Sequence, residues 1–360
     1  MKITVERTIF AEAIAWVLRA VSARATLPAL GGVSFETTPT GVRLIGTDLE
    51  LTAEATIECK VEEQGRAVLP GRLLGDIARS LPEGAVRIGL EGTQAKVSCG
   101  PAEFTLRTLP VEDFPTLPEP AGVSGEIPLE AFTQTVSQVT RAASHDEARP
   151  VLTGTLLDAG KDRVTFVSTD SYRLAVRHVA WKGPSEPIRR IVPARALAEA
   201  SRAGGEGAIT ITLGESQASF AVPGKRLTTR LIEGEYPNWS SLIPPDFPNT
   251  FRVEREALTD AVRRVGLLAQ SGTPVRMELA AEGARLRAGS QDVGDATELV
   301  DGKFEGEALT VAFNPQYLLD GINAIEGPEV VLAVRDGLKP AVLRAPEDED
   351  FTYLAMPVRV

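Results

Sequence analysis

The sequence repeats one pattern three times, and this repetition limits the possible folds more than any other feature. Phe132 follows Phe10 by 122 positions, and Leu258 follows Phe132 by 126 positions. The segments around these residues have apolar residues at helical spacing: 5–22, 127–144 and 253–270. We therefore expect each repeat to open with an amphipathic helix.

The remainder of each repeat also follows one order. Thr47-Asp48 and Thr169-Asp170 lie 122 positions apart, and both stand between alternating strands, where Asp after Thr typically forms a turn. Second, proline-led helices are expected at 70–81, 193–203 and 315–325. Closing strands are expected within 85–108, 208–231 and 329–356. The pattern predicts an α+β fold with two helices on one face of antiparallel sheets in each repeat.

Proline-rich segments without periodicity separate the repeats, at 115–122 and 240–249. A chain of 360 residues also exceeds what one hydrophobic core usually organises. We expect three domains, at 1–119, 123–246 and 248–360.

The net charge restricts how this chain could contact nucleic acid. Its net charge of −11 excludes a protein that coats nucleic acid with most of its surface, so any contact needs a local basic face. The expected helices carry the arginines that could form one: Arg19, Arg72, Arg79, Arg141, Arg195, Arg202, Arg263 and Arg264. Charge alone favours a solvated helix face, and the repeat shifts the balance towards sequence-independent contact with phosphates.

Few residues are available for catalysis. The chain has two histidines and two cysteines, and it lacks the HExxH, GxSxG and GxxxxGK[ST] motifs, so we expect no enzyme, metal or cofactor. Cys59 and Cys99 are expected to be buried free thiols. The N-terminus has no signal-peptide pattern and no segment is apolar enough to span a membrane, which predicts a cytoplasmic protein. Two alternatives remain: a nuclease or polymerase using paired carboxylates, and a scaffold that never touches DNA.

Several motifs together resemble the bacterial DNA polymerase III beta-subunit family, the replicative sliding clamps. They are Arg24 followed by TLPAL at 26–30, RPVLTG at 149–154, STDSYRLAV at 168–176, EYPNW at 235–239 and YLAMPVRV at 353–360. The resemblance covers essentially the whole chain. It implies a non-catalytic processivity factor, whose head-to-tail homodimer forms a ring around duplex DNA with helices lining the hole.

The resemblance also implies partners and their sites. A pocket between the second and third domains would bind a short linear motif of the replicative polymerase subunit, the clamp loader, repair polymerases, ligase and mismatch-repair proteins. Its residues would be Leu152, Thr169, Ser171, Tyr172, Arg173, Leu174, Pro237, Ser241, Leu242, Leu338, Leu354, Met356, Pro357, Val358 and Arg359. The resemblance adds Arg24 and Arg149 to the helix arginines as DNA contacts, and the expected set is Arg24, Arg72, Arg79, Arg141, Arg149, Arg195, Arg202, Arg263 and Arg264.

The chain departs from the family pattern at the expected pocket. Ser171-Tyr172 stands where many members have glycine and histidine, and Ser241 stands where many have arginine. We expect removal of residues 353–360 to abolish peptide binding while leaving a dimer intact.

Overall fold

Each repeat places a β-strand before its first helix in the computed structural model of the chain. The structure describes residues 1–22, 27–269, 273–290 and 294–359, without the side chain of Ser290. The elements of the first repeat are β1 (Lys2–Glu6), α1 (Arg7–Val17), β2 (Gly32–Thr38), β3 (Gly41–Thr47), β4 (Leu51–Glu58), β5 (Lys60–Glu63), β6 (Arg66–Pro70), α2 (Gly71–Ser80), β7 (Ala85–Glu91), β8 (Gln94–Cys99) and β9 (Ala102–Arg107).

The second and third repeats follow the same order. The second contains β10 (Val123–Pro128), α3 (Leu129–Val139), β11 (Gly154–Ala159), β12 (Arg163–Thr169), β13 (Arg173–Ala180), β14 (Ile188–Pro193), α4 (Ala194–Ala200), β15 (Ala208–Leu213), β16 (Gln217–Val222) and β17 (Lys225–Arg230). The third contains β18 (Asn249–Glu254), α5 (Arg255–Gly266), β19 (Val275–Ala280), β20 (Gly283–Ser290), β21 (Gly294–Val300), β22 (Lys303–Glu305), β23 (Leu309–Phe313), α6 (Pro315–Ala324), β24 (Glu329–Val334), β25 (Ala341–Arg344) and β26 (Phe351–Ala355). The predicted α+β class is confirmed.

The chain forms two compact units. The first consists of residues Met1–Leu129 and Glu199–Leu231. It contains a five-stranded sheet in the order β5-β1-β7-β8-β9 and an eight-stranded sheet in the order β10-β15-β16-β17-β4-β3-β2-β6. The second consists of Glu130–Ala198 and Ile232–Val360. It contains a nine-stranded sheet in the order β14-β11-β12-β13-β26-β25-β24-β18-β22 and a four-stranded sheet in the order β21-β20-β19-β23.

Helices pack against the faces of these antiparallel sheets. In the first unit α1 packs against β3, β4 and α2, and in the second unit α5 packs against α6, β20 and β21. Phe10, Ile14 and Val17 of α1 are buried, as the helical spacing predicts. Ile9, which the sequence places on the same apolar stripe, is 46% exposed, so the buried face is narrower than expected.

The first helix of each repeat begins later than the sequence predicts. The residues just before α1, α3 and α5 are extended because β1 pairs with β7, β10 with β15 and β18 with β24. Glu6 then caps α1, since its carboxylate accepts a hydrogen bond from the Ile9 N–H at 3.0 Å. Of the prolines expected in the second helices, Pro70 and Pro193 end strands, and Pro315 alone occupies a first helical turn.

Both cysteines are free. Cys99 is buried, as predicted, and its thiol donates to the Pro82 carbonyl at 3.2 Å. Cys59, which the sequence predicts to be buried, is only half-buried and lies between β4 and β5. Partial burial raises the pKa of its thiol, which keeps the thiol protonated near neutral pH.

Candidate functional site

The second unit contains an apolar cavity of about 400 Å³. Four of its lining residues were predicted from the sequence: Tyr172, Met356, Pro357 and Val358. Four others were missed: Thr273, Pro274, Asn314 and Tyr317. An open, largely apolar cavity with a few polar groups has the character of a site for apolar side chains of a ligand.

The chain after β26 forms one wall of this cavity and is held by backbone hydrogen bonds. The Met356 N–H donates to the Tyr172 carbonyl at 2.9 Å, and the Val358 N–H donates to the Ala312 carbonyl at 2.8 Å. Met356 is 38% exposed although its backbone is fixed. These residues are therefore not a frayed tail but part of the cavity.

A tight turn between β12 and β13 presents Tyr172. The Asp170 carboxylate accepts hydrogen bonds from the N–H groups of Tyr172 at 2.9 Å and Arg173 at 3.0 Å. The Thr169 hydroxyl accepts from the Ser171 N–H at 3.1 Å and donates to the Arg173 carbonyl at 2.6 Å. Thr-Asp is thus a turn former, as the sequence predicts, and its carboxylate is occupied by the backbone.

Ser171 has a left-handed backbone in this turn, with φ of 81°. Leu49, at the same place in the first repeat, has φ of 77°. Within the described residues, these two are the non-glycine residues with positive φ. A side chain at such a position costs about 1–2 kcal/mol, which explains why glycine suits it.

Replacing Ser171 with glycine is therefore expected to raise the free energy of unfolding by about 1 kcal/mol, because glycine adopts this backbone without the Cβ clash. Denaturant unfolding measures the change. Ser171→Ala is the matched control, since it removes the hydroxyl but keeps Cβ and should give no gain. Equal stability of the glycine and alanine variants would contradict the strain.

Arg173 is buried behind the cavity lining, against the ring of Tyr317. Its side chain is 7% exposed, and its guanidinium donates to Asp170 at 3.0 Å and to Asp320. The guanidinium lies 4.6 Å from the centre of the Tyr317 ring, and Tyr317 stacks on Tyr172 with ring centres 6.3 Å apart. Burial and two carboxylates hold the charge of Arg173 inside the protein, and this residue does not line the cavity.

A second tyrosine stabilises this arrangement. The Tyr353 hydroxyl donates to the Tyr317 carbonyl at 2.8 Å. Burial raises the pKa of both Tyr353 and Tyr317, so both phenols remain protonated at neutral pH. Tyr353 is completely buried within β26, and removal of residues 353–360 would therefore cut into the nine-stranded sheet. A truncation that spares the fold has to start at Met356.

The other predicted pocket residues do not line the cavity. Five of them are buried: Leu152, Thr169, Arg173, Leu174 and Leu354. Leu174 and Leu354 belong to an apolar cluster, against which the partly exposed Tyr236, Trp239 and Phe247 pack. Six predicted residues are exposed outside the cavity lining: Ser171, Pro237, Ser241, Leu242, Leu338 and Arg359.

The first unit has a polar counterpart of this cavity. Glu50 precedes Tyr172 by 122 positions, and Arg230 precedes Met356 by 126. The Arg230 N–H donates to the Glu50 carbonyl at 3.0 Å, which matches the hydrogen bond between Met356 and Tyr172. The side chains of Glu50 and Arg230 form an ion pair at 3.5 Å. The apolar Tyr172–Met356 pair is therefore a specialisation of the second unit.

Most arginines predicted to contact DNA are ion-paired within the chain. Their carboxylate partners are Asp76 for Arg79, Asp146 for Arg149, Glu199 for Arg202, Asp260 for Arg263, and Glu298 with Asp260 for Arg264. Arg19 likewise pairs with Glu199 at 2.6 Å. Among the described ion pairs, none involves the exposed Arg72, Arg141 or Arg195, and Arg24 lies outside the described residues.

Arg149 lies beside the Tyr172 turn. Its guanidinium pairs with Asp146 at 2.9 Å and donates to the Ser171 hydroxyl at 3.4 Å. The Ala148 N–H, together with Arg149, lowers the pKa of Asp146 and keeps this carboxylate ionised. Arg149 therefore has less free charge for a phosphate than Arg72, Arg141 and Arg195.

Two kinds of feature are absent from the part of the chain that the structure describes. No group of three or more His, Cys, Asp or Glu residues there is arranged to hold a metal ion. No helix there has the length and apolar character needed to cross a membrane.

Family models match the three repeats in turn. The N-terminal domain of the DNA polymerase III beta subunit matches residues 1–118, the central domain matches 126–238 and the C-terminal domain matches 240–359. The chain belongs to the DNA polymerase III beta-subunit family. This family consists of DNA polymerase sliding clamps, processivity factors with no catalytic activity of their own, so both DNA and a polymerase are partners of the family.

Individual relatives agree along their whole length. The beta sliding clamp of Streptomyces coelicolor is 40% identical, with complete coverage of both chains. The beta sliding clamp homolog GriR of Streptomyces muensis is 33% identical over 100% of this chain and 99% of its own. Among solved structures, the Bacillus subtilis clamp has a TM-score of 0.95 at 29% identity, covering 100% of this chain and 99% of that one. A Pseudomonas aeruginosa clamp bound to griselimycin has a TM-score of 0.96 at 27% identity, with complete coverage of both.

Proposed function

We propose that two copies of this chain close head to tail into a ring that encircles duplex DNA. The ring would tether the replicative polymerase, the clamp loader, repair polymerases, ligase and mismatch-repair proteins through a short motif seated in the Tyr172–Met356 cavity. The proposed role places the protein in the cytoplasm, with domains at 1–119, 123–246 and 248–360.

The observation that carries the proposal is one strand pairing that recurs along the chain. In the first unit β4 pairs with β17, with Ala53 opposite Leu227. In the second unit β13 pairs with β26, with Ala175 opposite Tyr353. In both cases the strand after the Thr-Asp turn joins the last strand of the next repeat. Two equivalent strands lack such a pairing among the described residues: β21, which corresponds in the third repeat to β4 and β13, and β9, the last strand of the first repeat.

Both of these strands lie at sheet edges in the described structure. An exposed edge invites pairing with another strand, and a head-to-tail pairing of β21 with β9 would repeat twice to close a two-copy ring. Apolar residues accompany the edges: Phe104 on β9 is half-buried, Leu299 on β21 is 54% exposed, and Leu267 at the end of α5 is 82% exposed. Such residues would be covered in the dimer.

The two observed pairings also give a register for the third. Gly294 is the first residue of β21 to pair with the preceding strand, as Leu174 is in β13. Asp295 follows Gly294 as Ala175 follows Leu174, so Asp295 and Ala175 hold equivalent places. Thr105 precedes Leu227 by 122 positions, and Leu227 precedes Tyr353 by 126, so these three residues hold the same place in the last strand of each repeat. Asp295 should then lie opposite Thr105, and Thr297 opposite Glu103 of the second copy.

DNA contact in this ring would be weak and independent of sequence. Exposed Arg72, Arg141 and Arg195 can attract phosphates, while the net charge of −11 disfavours binding over the remaining surface. Retention on DNA would then depend on the closed ring and not on tight contacts.

Cysteine crosslinking tests ring and register together. In a Cys59→Ala/Cys99→Ala background, Glu103→Cys with Thr297→Cys is expected to form a covalent dimer on oxidation, because the two side chains lie opposite on one face. The dimer is first loaded onto circular DNA by a clamp loader and then oxidised. The crosslinked dimer should remain bound in high salt and be released when the DNA is linearised.

The matched control is Glu103→Cys with Ala296→Cys, which points the two thiols to opposite faces and should crosslink poorly. Equal crosslinking of both pairs would reject the register. Identical salt-sensitive retention on circular and linear DNA would reject the ring.

A further inference from the structure

A second, polar cavity adjoins the apolar one. It has a volume of about 480 Å³, and Thr273 and Pro274 line both cavities. The side chains that give it charge are Arg276 on β19, Arg287 on β20 and Asp295 on β21. The shared wall makes the two cavities one continuous surface within the second unit.

Two arginines lie side by side on the sheet face that lines this cavity. Arg276 and Arg287 are directly opposed in the antiparallel pairing of β19 with β20, and both are exposed. Directly opposed like charges destabilise a sheet. Such a pair is tolerated at low cost in water, and it gains stability when an anion binds between the two guanidinium groups.

The carboxylates nearby do not satisfy this pair. Glu278 is shared by two arginines, at 3.5 Å from Arg287 and 3.8 Å from Arg285, which is too long for hydrogen bonds. The Asp295 carboxylate lies over Gly289, where a Cβ would stand 2.0 Å from its Oδ1. Arg276 forms no ion pair with any described carboxylate. Within one copy, the described lining residues of this cavity therefore keep excess positive charge on a chain whose net charge is −11.

We propose that Arg276 and Arg287 bind an acidic side chain that flanks the apolar anchors of a partner's peptide. This inference rests on the proposed function, because it extends the same site. An extended peptide advances about 3.3 Å per residue, so a few residues beyond an apolar anchor cross the wall formed by Thr273 and Pro274. The arginine pair then selects partners by the charge next to the motif, while the apolar cavity binds the motif itself.

Fluorescence anisotropy with three labelled peptides tests the proposal. All three carry the same Leu and Phe anchors; one has Asp-Asp on the N-terminal side, one has Asp-Asp on the C-terminal side, and one has Ser-Ser on both. We expect one acidic peptide to bind the unmodified dimer about fivefold more tightly than the serine peptide. The Arg276→Gln/Arg287→Gln variant should lose this advantage and keep its affinity for the serine peptide.

Arg285→Gln is the matched control, because Arg285 shares Glu278 and the same sheet face but does not line the cavity. It should keep the preference for the acidic peptide. The preference should also fall as salt is raised from 50 to 500 mM.

Three outcomes overturn the proposal while leaving the proposed function intact: no preference for either acidic peptide, an equal loss for all three peptides in the double variant, or a double variant that sediments as a monomer. The last would assign the arginines to Glu103 of a second copy, which the register places opposite Thr297. Failure of the serine peptide to bind the unmodified dimer would instead reject the peptide site itself.

Discussion

Replacing Arg173 with alanine is expected to lower the free energy of unfolding by about 3–5 kcal/mol, the usual cost of breaking a buried ion pair from one side. The guanidinium is 7% exposed and bridges Asp170 and Asp320. Its loss leaves both carboxylates in the interior without their shared countercharge. The Tyr317 ring also loses the cation 4.6 Å from its centre.

The same change should weaken peptide binding, because Asp170 holds the turn that presents Tyr172 and Tyr317 stacks on Tyr172. Denaturant unfolding gives the stability, and peptide titration under folding conditions gives the affinity. Arg149→Ala is the matched control: this arginine lies beside the same turn, is 42% exposed and pairs with Asp146. We expect it to change stability by less than about 1 kcal/mol. Equal effects of the two substitutions would show that Arg173 has no special structural role.

The sequence predicted the parts of this fold that depend on local pattern. Helical spacing around Phe10, Phe132 and Leu258 gave the first helices, and the Thr-Asp pairs gave the turns. Because these patterns occur in more than one repeat, each occurrence strengthens the prediction of the same element in the other repeats. The helix starts were wrong by about two residues because β1, β10 and β18 are extended only through pairing with distant strands.

The cavity was harder to predict because its walls come from separate parts of the second unit. Tyr172 and Met356 were found through the family motifs, but Tyr317 and Asn314 belong to the start of α6. The Asn314 cap and Pro315 mark that start in the sequence, and Tyr317 lies within its first turn. This signal could place Tyr317 on the helix, but it could not show that the ring stacks on Tyr172.

Ion pairing divides the helix arginines that the sequence predicts as DNA contacts into two groups. Arg79, Arg202 and Arg263 pair with an acid three residues earlier, and that spacing is visible in the sequence. Arg264 pairs with Glu298, which no local pattern could reveal. The arginines without a described carboxylate partner, Arg72, Arg141 and Arg195, are consequently the better candidates.

The largest expected effect on binding comes from Tyr172→Ala combined with Met356→Ala. Tyr172 is 58% exposed and Met356 is 38% exposed, and both line the apolar cavity. Side chains at the centre of an interface commonly contribute about 2 kcal/mol or more each. We expect the double variant to bind a peptide with Leu and Phe anchors about 100-fold or more weakly, as measured by anisotropy or calorimetry.

The polar counterpart in the first unit provides the control. Glu50→Ala with Arg230→Ala removes an exposed ion pair at the equivalent place, and peptide affinity should stay within about twofold of the unmodified protein. Both double variants should still form the covalent dimer through Glu103→Cys and Thr297→Cys, because neither change touches β9 or β21. If the Tyr172/Met356 variant kept full affinity, or if the Glu50/Arg230 variant lost as much, the apolar cavity would not be the peptide site. If affinity and crosslinking fell together, the two side chains would be acting through the fold instead of contacting the peptide.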